Sequence, residues 1–360
     1  MKAFDSVPHH RLLSKLAAYG IQGPVLTWIK GFLLGRQQRV VVNGQQSKWS
    51  DVKSGIPQGS VLGPTLFVIY INDLPDLVKS GVKLFADDTK LYARSDTNEA
   101  SLQLQADLDG LQDWAEKWQM KFHPDKCTVL KVGRIPSEHK YVMRNGDEQI
   151  TLGETTVEKD LGVLVDPHLN FHEHISQAVS RANRLLGLIR RSFLNLDTET
   201  FNLLYKGLIR PILEYSQAVW SPHKLGEQRM IEGIQRRATK MIPAIKDLTY
   251  QGRLKHLKLP TLVHRRKRGD MIDVFKYMHG LYNTDVPLFR LSTEERTRGN
   301  TLKLTKAYAR LDVRKHFFSN RIIDEWNSLP DEVVTAPSVN SFKTRLDKHW
   351  KNDALMYEPI

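Results

Sequence analysis

The stretch GVKLFADDTKLYAR, residues 81–94, sets two adjacent acids, Asp87 and Asp88, inside an otherwise apolar run. A strand interior normally carries side chains that can be buried, because an unpaired carboxylate is costly to desolvate. Val82, Leu84, Phe85 and Tyr92 favour strands on either side. A strand, a tight turn at Ala86-Asp87-Asp88 and a second strand reconcile the two facts. The flanks are then buried while the tip faces a solvated cleft.

Two acids at such a tip can serve as oxygen ligands for Mg²⁺, which takes carboxylates and water in octahedral geometry. Phosphoryl transfer commonly uses two such ions, one activating the attacking oxygen and one steadying the leaving group. Acid pairs in exposed turns are common, so the pair gains weight only from its surroundings. The formal net charge of +13 over 360 residues is one such feature, because it favours a polyanionic partner over a small neutral ligand. The excess gathers in the second half, in RANRLLGLIRR, GIQRRATKMI and LVHRRKRGD, where cations sit on segments with helical apolar spacing. Clustered cations of this kind can track phosphate without reading sequence. Arg236, Arg237, Arg265, Arg266 and Lys267 are the candidates for backbone contact.

The second feature lies upstream. SGIPQGSVLGPTLF supplies Gly55, Gly59 and Gly63 with Pro57 and Pro64, a backbone suited to close approach that leads into a helix start with unpaired amides. The Gln58 amide can both donate and accept there. The plain alternative is a turn followed by a helix. Around these segments, residues 9–34 read as two helices joined by YGIQGP, and Asn43-Gly44 marks a hairpin. Residues 98–119 form one amphipathic helix, KFHPDKCTVLKVG is a turn into a strand, and residues 150–170 are short strands punctuated by glycine. A helical region runs from about 174 to 280, interrupted by RPILEYSQAVWSPHKLG, and short helices follow a loop-rich stretch.

Several classes are set aside on composition. No apolar run of about 18 residues spans a membrane, and the opening MKAFDSVPHHRLL lacks a signal-peptide core. The expected setting is intracellular, nucleus or cytoplasm. Cys127 is the one cysteine, which excludes an intrachain disulfide framework. His172 and His174 in NFHEHI lack a third and fourth ligand at zinc spacing. The aromatics Tyr215, Trp220 and Trp326 read first as core packing.

The order KAFDSVPHHRLL, SGIPQGSVLGPTLFVIYINDL, LFADDTKLYA, WQMKFHPDKC and KDLGVLV resembles the consecutive palm motifs of the reverse transcriptases of non-LTR retrotransposons, of the LINE, jockey and CR1 kind. The resemblance continues through LIRPILEYSQAVWSP, IQRRATKMI and FFSNRIIDEWNSLP, so it covers nearly the whole chain. It implies an α+β fold: a truncated right-hand palm with an antiparallel sheet and packed helices, then a mainly helical thumb and C-terminal region. The implied divisions are residues 1–133 for the partial palm, 134–172 for a strand-rich connection with a primer-grip-like hairpin at KDLGV, 173–280 for the helical thumb, and 281–360 for the C-terminal loop and short helices.

By resemblance, Asp87 is a catalytic metal ligand and Asp88 its acidic neighbour. Phe4 occupies the bulky place beneath the incoming sugar, Gln58 and Gly59 line the pocket for the nascent base pair and template, and Lys126 lies near the leaving phosphates. The implied cofactors are two Mg²⁺ ions, with Mn²⁺ as the alternative. The implied partners are template RNA, primer DNA and dNTPs.

One departure matters. The family's first motif reads D-x-x-K-A-F-D, and with Lys2 as its lysine the leading aspartate falls two positions before Met1. Asp5 is expected to turn toward local backbone or a basic partner instead of replacing it. The chain is therefore expected to be a C-terminal piece of an RNA-directed DNA polymerase that begins inside a palm strand. The alternative is a catalytically inactive remnant with affinity for nucleic acid, lacking that aspartate and the fingers.

Overall fold

A computed structural model describes residues 3–133, 138–284, 286–292 and 299–358. The chain divides into two compact units, Met1–Thr156 and Val157–Ile360. Both mix helix and strand, giving an α+β protein.

The first unit opens with a helical turn, α1 (Ala3–Ser6), then α2 (His9–Ala18) and α3 (Gly23–Leu33). The expected opening strand is thus a helix. Its backbone pairs locally, and the chain beyond it is tied to the SGIPQG segment: Gly55 N–H donates to Val7 O and Ile56 N–H to Phe4 O, both at 2.9 Å. Gly55 has φ +92°, and a Cβ there would lie 2.8 Å from Asp5 Cα, so this contact requires glycine.

A protruding hairpin follows, made of β1 (Gln37–Gln38), β2 (Val41–Val42), β3 (Gln45–Gln46) and β4 (Ser50–Asp51). Asn43 and Gly44, both at positive φ, make its turn. Helix α4 (Leu62–Ile71) is apolar on nearly every side and carries Leu66, Phe67 and Tyr70 into the core. The β5 (Gly81–Phe85) and β6 (Asp88–Tyr92) hairpin lies on the same core through Val82, Leu84 and Leu91. Helix α5 (Asn98–Trp118) is capped by Thr97, whose side chain accepts from Ala100 N–H. It closes the layer with Leu111 and Trp114. Strands β7 (Thr128–Leu130), β8 (Val142–Asn145), β9 (Glu148–Thr151) and β10 (Gly153–Thr155) complete the unit.

The continuous antiparallel sheet expected of a palm is not formed. The described strands make six separate two-stranded ladders, and one of them, β7 with β10, is parallel. These strands are two to five residues long, and the β8 edge is closed by side chains. Gln105 of α5 receives Val142 N–H at 3.0 Å and donates to Val142 O at 2.9 Å; Gln112, two turns on, does the same for Arg144 at 2.9 and 2.8 Å. Two glutamines thus replace a neighbouring strand, a direct way to blunt an edge.

The second unit begins with β11 (Glu158–Asp160) and β12 (Val163–Val165), joined by Leu161-Gly162. Helices α6 (His172–Ser192) and α7 (Thr198–Leu204) follow, and a π-turn over Tyr205–Ile209 carries the chain into α8 (Arg210–Glu214). The interruption expected over RPILEYSQAVWSPHKLG lies within that stretch but not at its first proline: Pro211 follows the π-turn inside the helical run that ends at Glu214. The break falls at Tyr215 and Ser216, the latter at φ +52°. Then come α9 (Gln217–Trp220), α10 (Leu225–Thr239), α11 (Tyr250–Leu257) and α12 (Leu262–Met278). Their core centres on Ile175, Ala182, Tyr205, Ile209, Trp220 and Ile234.

After α13 (Asp312–Lys315), a second core forms where α12 meets the C-terminal helices α14 (Phe318–Arg321), α15 (Ile323–Ser328), α16 (Asp331–Val334) and α17 (Val339–His349). Trp326, fully buried, is its centre, with Phe275 and Phe342 beside it. Trp220 and Trp326 are core residues, whereas Tyr215 is 55% exposed. Its hydroxyl donates to Leu161 O at 2.9 Å and so fastens the β11–β12 turn.

Candidate functional site

Period 2 decides which side chains the β5–β6 hairpin buries. The pairs Val82↔Leu91 and Leu84↔Thr89 face inward, and Lys83↔Lys90 and Phe85↔Asp88 face outward. The turn consists of Ala86 and Asp87, with Asp88 as the first residue of β6. Both carboxylates are exposed. Among the described residues neither has a hydrogen-bond or ion-pair partner. Ala86 stands at φ +50°, a conformation that costs an L-residue roughly 1–2 kcal/mol. Strain held at a tip by buried flanks is a mark of functional turns.

Phe85 is 64% exposed beside Asp88. Tyr92 lies across Gly81, where a Cβ would come within 2.4 Å of its ring. The tip is thus a carboxylate pair on an aromatic and lysine-bearing face. Sequence reading located the acids and missed the cross-strand lysines beneath them, although the register of a two-residue turn at Ala86-Asp87 would have paired Lys83 with Lys90.

The KAFD and PQG segments are brought together. Gln58 Nε2 donates to Asp5 Oδ1 at 2.6 Å, and Ser54 Oγ donates to Asp5 O at 3.0 Å. Asp5 therefore faces the Gln58 amide, not its own backbone or a basic partner. Gln58 and Gly59 are exposed in a turn, with Gly59 at φ +79°. Ser60 Oγ accepts from Gly63 N–H at 3.0 Å and donates to Pro57 O at 2.7 Å, which fixes the entry into α4. A Cβ on Gly63 would lie 2.7 Å from Pro57 O. Phe4 is half-buried, its ring stacked on Phe67 at 4.2 Å between centroids. Beneath it His9 Nε2 holds Gly55 O at 2.8 Å. Lys126 is exposed at the end of a 3₁₀ turn, Pro124–Lys126. Lys2 lies outside the described residues.

A group that sequence reading did not single out anchors this unit. Lys15 is 4% exposed. Its Nζ donates to Tyr70 O at 2.6 Å and Asp73 Oδ1 at 2.5 Å, and lies 3.9 Å from the Trp118 ring centroid and 4.8 Å from that of Trp114. Burial pulls its pKa down against the opposing pull of Asp73. Asp107 is a similar anchor. Burial alone would raise its pKa, but donors from Ser80, Lys79 and Gln103 hold it below the usual range.

The five candidate backbone-contact cations separate sharply. Arg236 and Arg237 are exposed on α10; Arg237 Nη2 donates to Asn183 Oδ1 at 3.0 Å, and Arg236 lies over the Tyr250 ring. Arg265 is clamped by both oxygens of Glu214, and Lys267 pairs with Glu325 at 2.8 Å. Arg266 is 4% exposed, and burial pushes its pKa down to about 10 against the pull of Glu232 and Asp270. A guanidinium enclosed by protein does not reach phosphate, which removes Arg266 from the set of backbone contacts. Among the described residues no group of three or more His, Cys, Asp or Glu side chains is placed to hold a metal. His172 instead faces Glu227 at 3.1 Å, and His174 Nδ1 accepts from Leu164 N–H at 3.3 Å.

Comparison with known proteins fits the motif order. The profile of the family described as "Reverse transcriptase (RNA-dependent DNA polymerase)" matches residues 1–160. The chain is 34% identical over 236 residues to the RNA-directed DNA polymerase from mobile element jockey of Drosophila funebris, an alignment covering 61% of this chain and 25% of that protein. It is 29% identical over 257 residues to the probable RNA-directed DNA polymerase from transposon BS of Drosophila melanogaster, covering 67% and 28%. To that from transposon X-element of the same species it is 28% identical over 262 residues, covering 67% and 27%. Residues 1–160 thus match the reverse transcriptase family, and the chain is similar to the RNA-directed DNA polymerases of these mobile elements. It spans about a quarter of the length of these relatives.

Proposed function

We propose that residues 1–160 carry the metal-binding palm of an RNA-directed DNA polymerase and that the helical part of the second unit is its thumb. The observation that carries this reading is the pair Asp87 and Asp88, exposed without a cationic partner among the described residues at a strained tip on a hairpin whose inner face is half-buried. That donor set suits Mg²⁺, which is commonly held by one or two carboxylates with water and substrate phosphates completing its shell. When bound, the metal supplies electrostatic stabilisation of the charge on the phosphoryl group and its leaving oxygen. Asp87 and Asp88 hold it, and Lys126 offers a point charge to the leaving phosphates. Gln58 and Gly59 line the base-pair pocket, with the Gln58 amide oriented by Asp5. Phe4 screens the 2′-hydroxyl. Arg236 and Arg237 contact template–primer phosphates.

A second reading is nucleic-acid binding without catalysis, favoured by the exposed Arg236 and Arg237 on α10. Primer extension on an RNA template with a DNA primer separates the two. The polymerase reading expects extension by a form carrying the full length of the relatives, and binding without extension by that form supports the second reading. Asp87→Asn or Asp88→Asn in that form should abolish activity, because metal positioning is most of the catalysis. Extension that survives both changes would sink the polymerase reading.

A further inference from the structure

The segment KAYARLDVRKHFF, residues 306–318, is absorbed neither by the core nor by the proposed polymerase site. Lys306 to Arg310 form no regular structure and alternate long side chains with alanine, and Lys306, Tyr308 and Arg310 are all exposed. Tyr308 is 93% exposed and Phe317 42% exposed. Arg314 lies over the Phe317 ring, its guanidinium carbon 5.4 Å from the centroid. Arg310, Arg314 and Lys315 are exposed with no carboxylate partner among the described residues, and the acid within the stretch is Asp312.

The stretch is anchored at both ends. Leu304, 2% exposed, bridges to Leu291, and Asn327 satisfies both its N–H and its carbonyl at 2.8 and 2.9 Å. Thr305 N–H donates to Arg290 O at 2.8 Å, and Lys306 is tied to Asp324. At the far end Leu311 O receives the amides of Arg314 and Lys315 at 3.0 and 2.9 Å. An exposed aromatic between anchored ends, interleaved with cations, matches what a single strand offers: an unpaired base with a free π-face between phosphates. A duplex hides its base faces and cannot use Tyr308 in this way.

We propose that residues 306–317 form a stacking platform for single-stranded nucleic acid, with Tyr308 as the stacking residue and Arg310, Arg314 and Lys315 as phosphate contacts. This extends the nucleic-acid reading above, to a site the polymerase assignment does not include.

The test is fluorescence anisotropy of the full chain with a labelled single-stranded oligo(dT) and with a duplex of the same length. Tyr308→Ala is expected to weaken single-strand binding roughly tenfold, within the range for one stacked base, and to leave duplex binding unchanged. Tyr308→Phe should restore it. Arg310→Gln with Arg314→Gln should reduce the single-strand salt slope by roughly 1.4, at about 0.7 per phosphate contact. Unchanged single-strand affinity in Tyr308→Ala overturns the proposal, as does an equal loss on duplex. Loss of binding to phosphatidylserine vesicles with oligo(dT) binding retained also overturns it. The readout requires no chemistry, so a chain inactive in primer extension that loses single-strand affinity on Tyr308→Ala supports the platform. An active chain that keeps that affinity overturns it.

Discussion

Two cationic helical faces in the second unit look alike in sequence and differ in use. On α12, Arg265 is paired by Glu214, Lys267 by Glu325 and Arg268 by both oxygens of Asp347 at 2.5 and 2.8 Å, while Arg266 is enclosed near Glu232 and Asp270 without a hydrogen bond to its Nη1 or Nη2 among the described residues. On α6 and α10, Arg181, Arg184, Arg190, Arg229 and Arg237 are exposed and none has a carboxylate partner among the described residues. A charge run is therefore not a function by itself. The partners, contributed by segments as distant as Glu325 and Asp347, decide whether a cation holds the fold or faces a polyanion.

If α12 is structural, its strongest dependence should be on the buried acid at its centre. Asp270 is 6% exposed and accepts both Nε and Nη2 of Arg321 at 3.1 and 3.0 Å. Asp270→Ala leaves Arg321 and Arg266 without their buried counter-charge, and loss of one partner of a buried pair costs about 3–5 kcal/mol. Urea unfolding of the full chain, followed by tryptophan fluorescence, should show the second transition shifted by this amount. A shift under 1 kcal/mol would place these charges in water and erase the distinction between the two faces.

The next effect is smaller and depends on pH. Burial raises Asp270 to about 6 in spite of the Arg321 pair, against about 3.9 for the unfolded group. A carboxyl whose folded pKa is raised binds its proton more tightly in the folded state. Its contribution to stability is then fully present below about 4 and lost as pH rises through 6. Relative to Asp270→Asn, the native chain should gain stability as pH falls from 7 to 5, by at most about 1.4 kcal/mol per pH unit. Parallel pH profiles for the two proteins would show that the Arg321 pair cancels the effect of burial, and a native chain that loses stability over this range would show that the pair dominates.

The features read correctly from sequence are those written locally. The β5–β6 turn, the Asn43-Gly44 hairpin and the span of α5 follow from side-chain period and turn chemistry within a few residues. Burial is less local: Val40, Val41 and Val42 form strong strand signals, yet each is more than half exposed. The hidden features all rest on partners far along the chain. Lys15 finds Asp73 and the ring of Trp118, Gln112 finds the backbone of Arg144, and Lys267 finds Glu325. A lysine in a helix gives no local sign that two tryptophans will enclose it. Of the candidate site, the acids and the glycine turn were legible, while the Asp5–Gln58 bond required KAFD and PQG to be folded together.

The smallest change in stability belongs to the other face. Arg184 and Arg237 are exposed, and Arg237 has one hydrogen bond, to Asn183. The double change Arg184→Gln, Arg237→Gln should move the unfolding midpoint by no more than about 0.5 kcal/mol, as surface substitutions usually do. Its effect should appear in binding: with about 0.9 counterions released per duplex phosphate contact, the log–log salt slope for duplex should fall by roughly 1.8. The same double change on α12, Arg265→Gln with Arg268→Gln, should lower stability and leave the salt slope unaltered, because those guanidinium groups already have carboxylates. If instead both pairs reduce the slope equally, the ion pairs on α12 open when nucleic acid arrives, and phosphate outcompetes Glu214 and Asp347 for the same arginines.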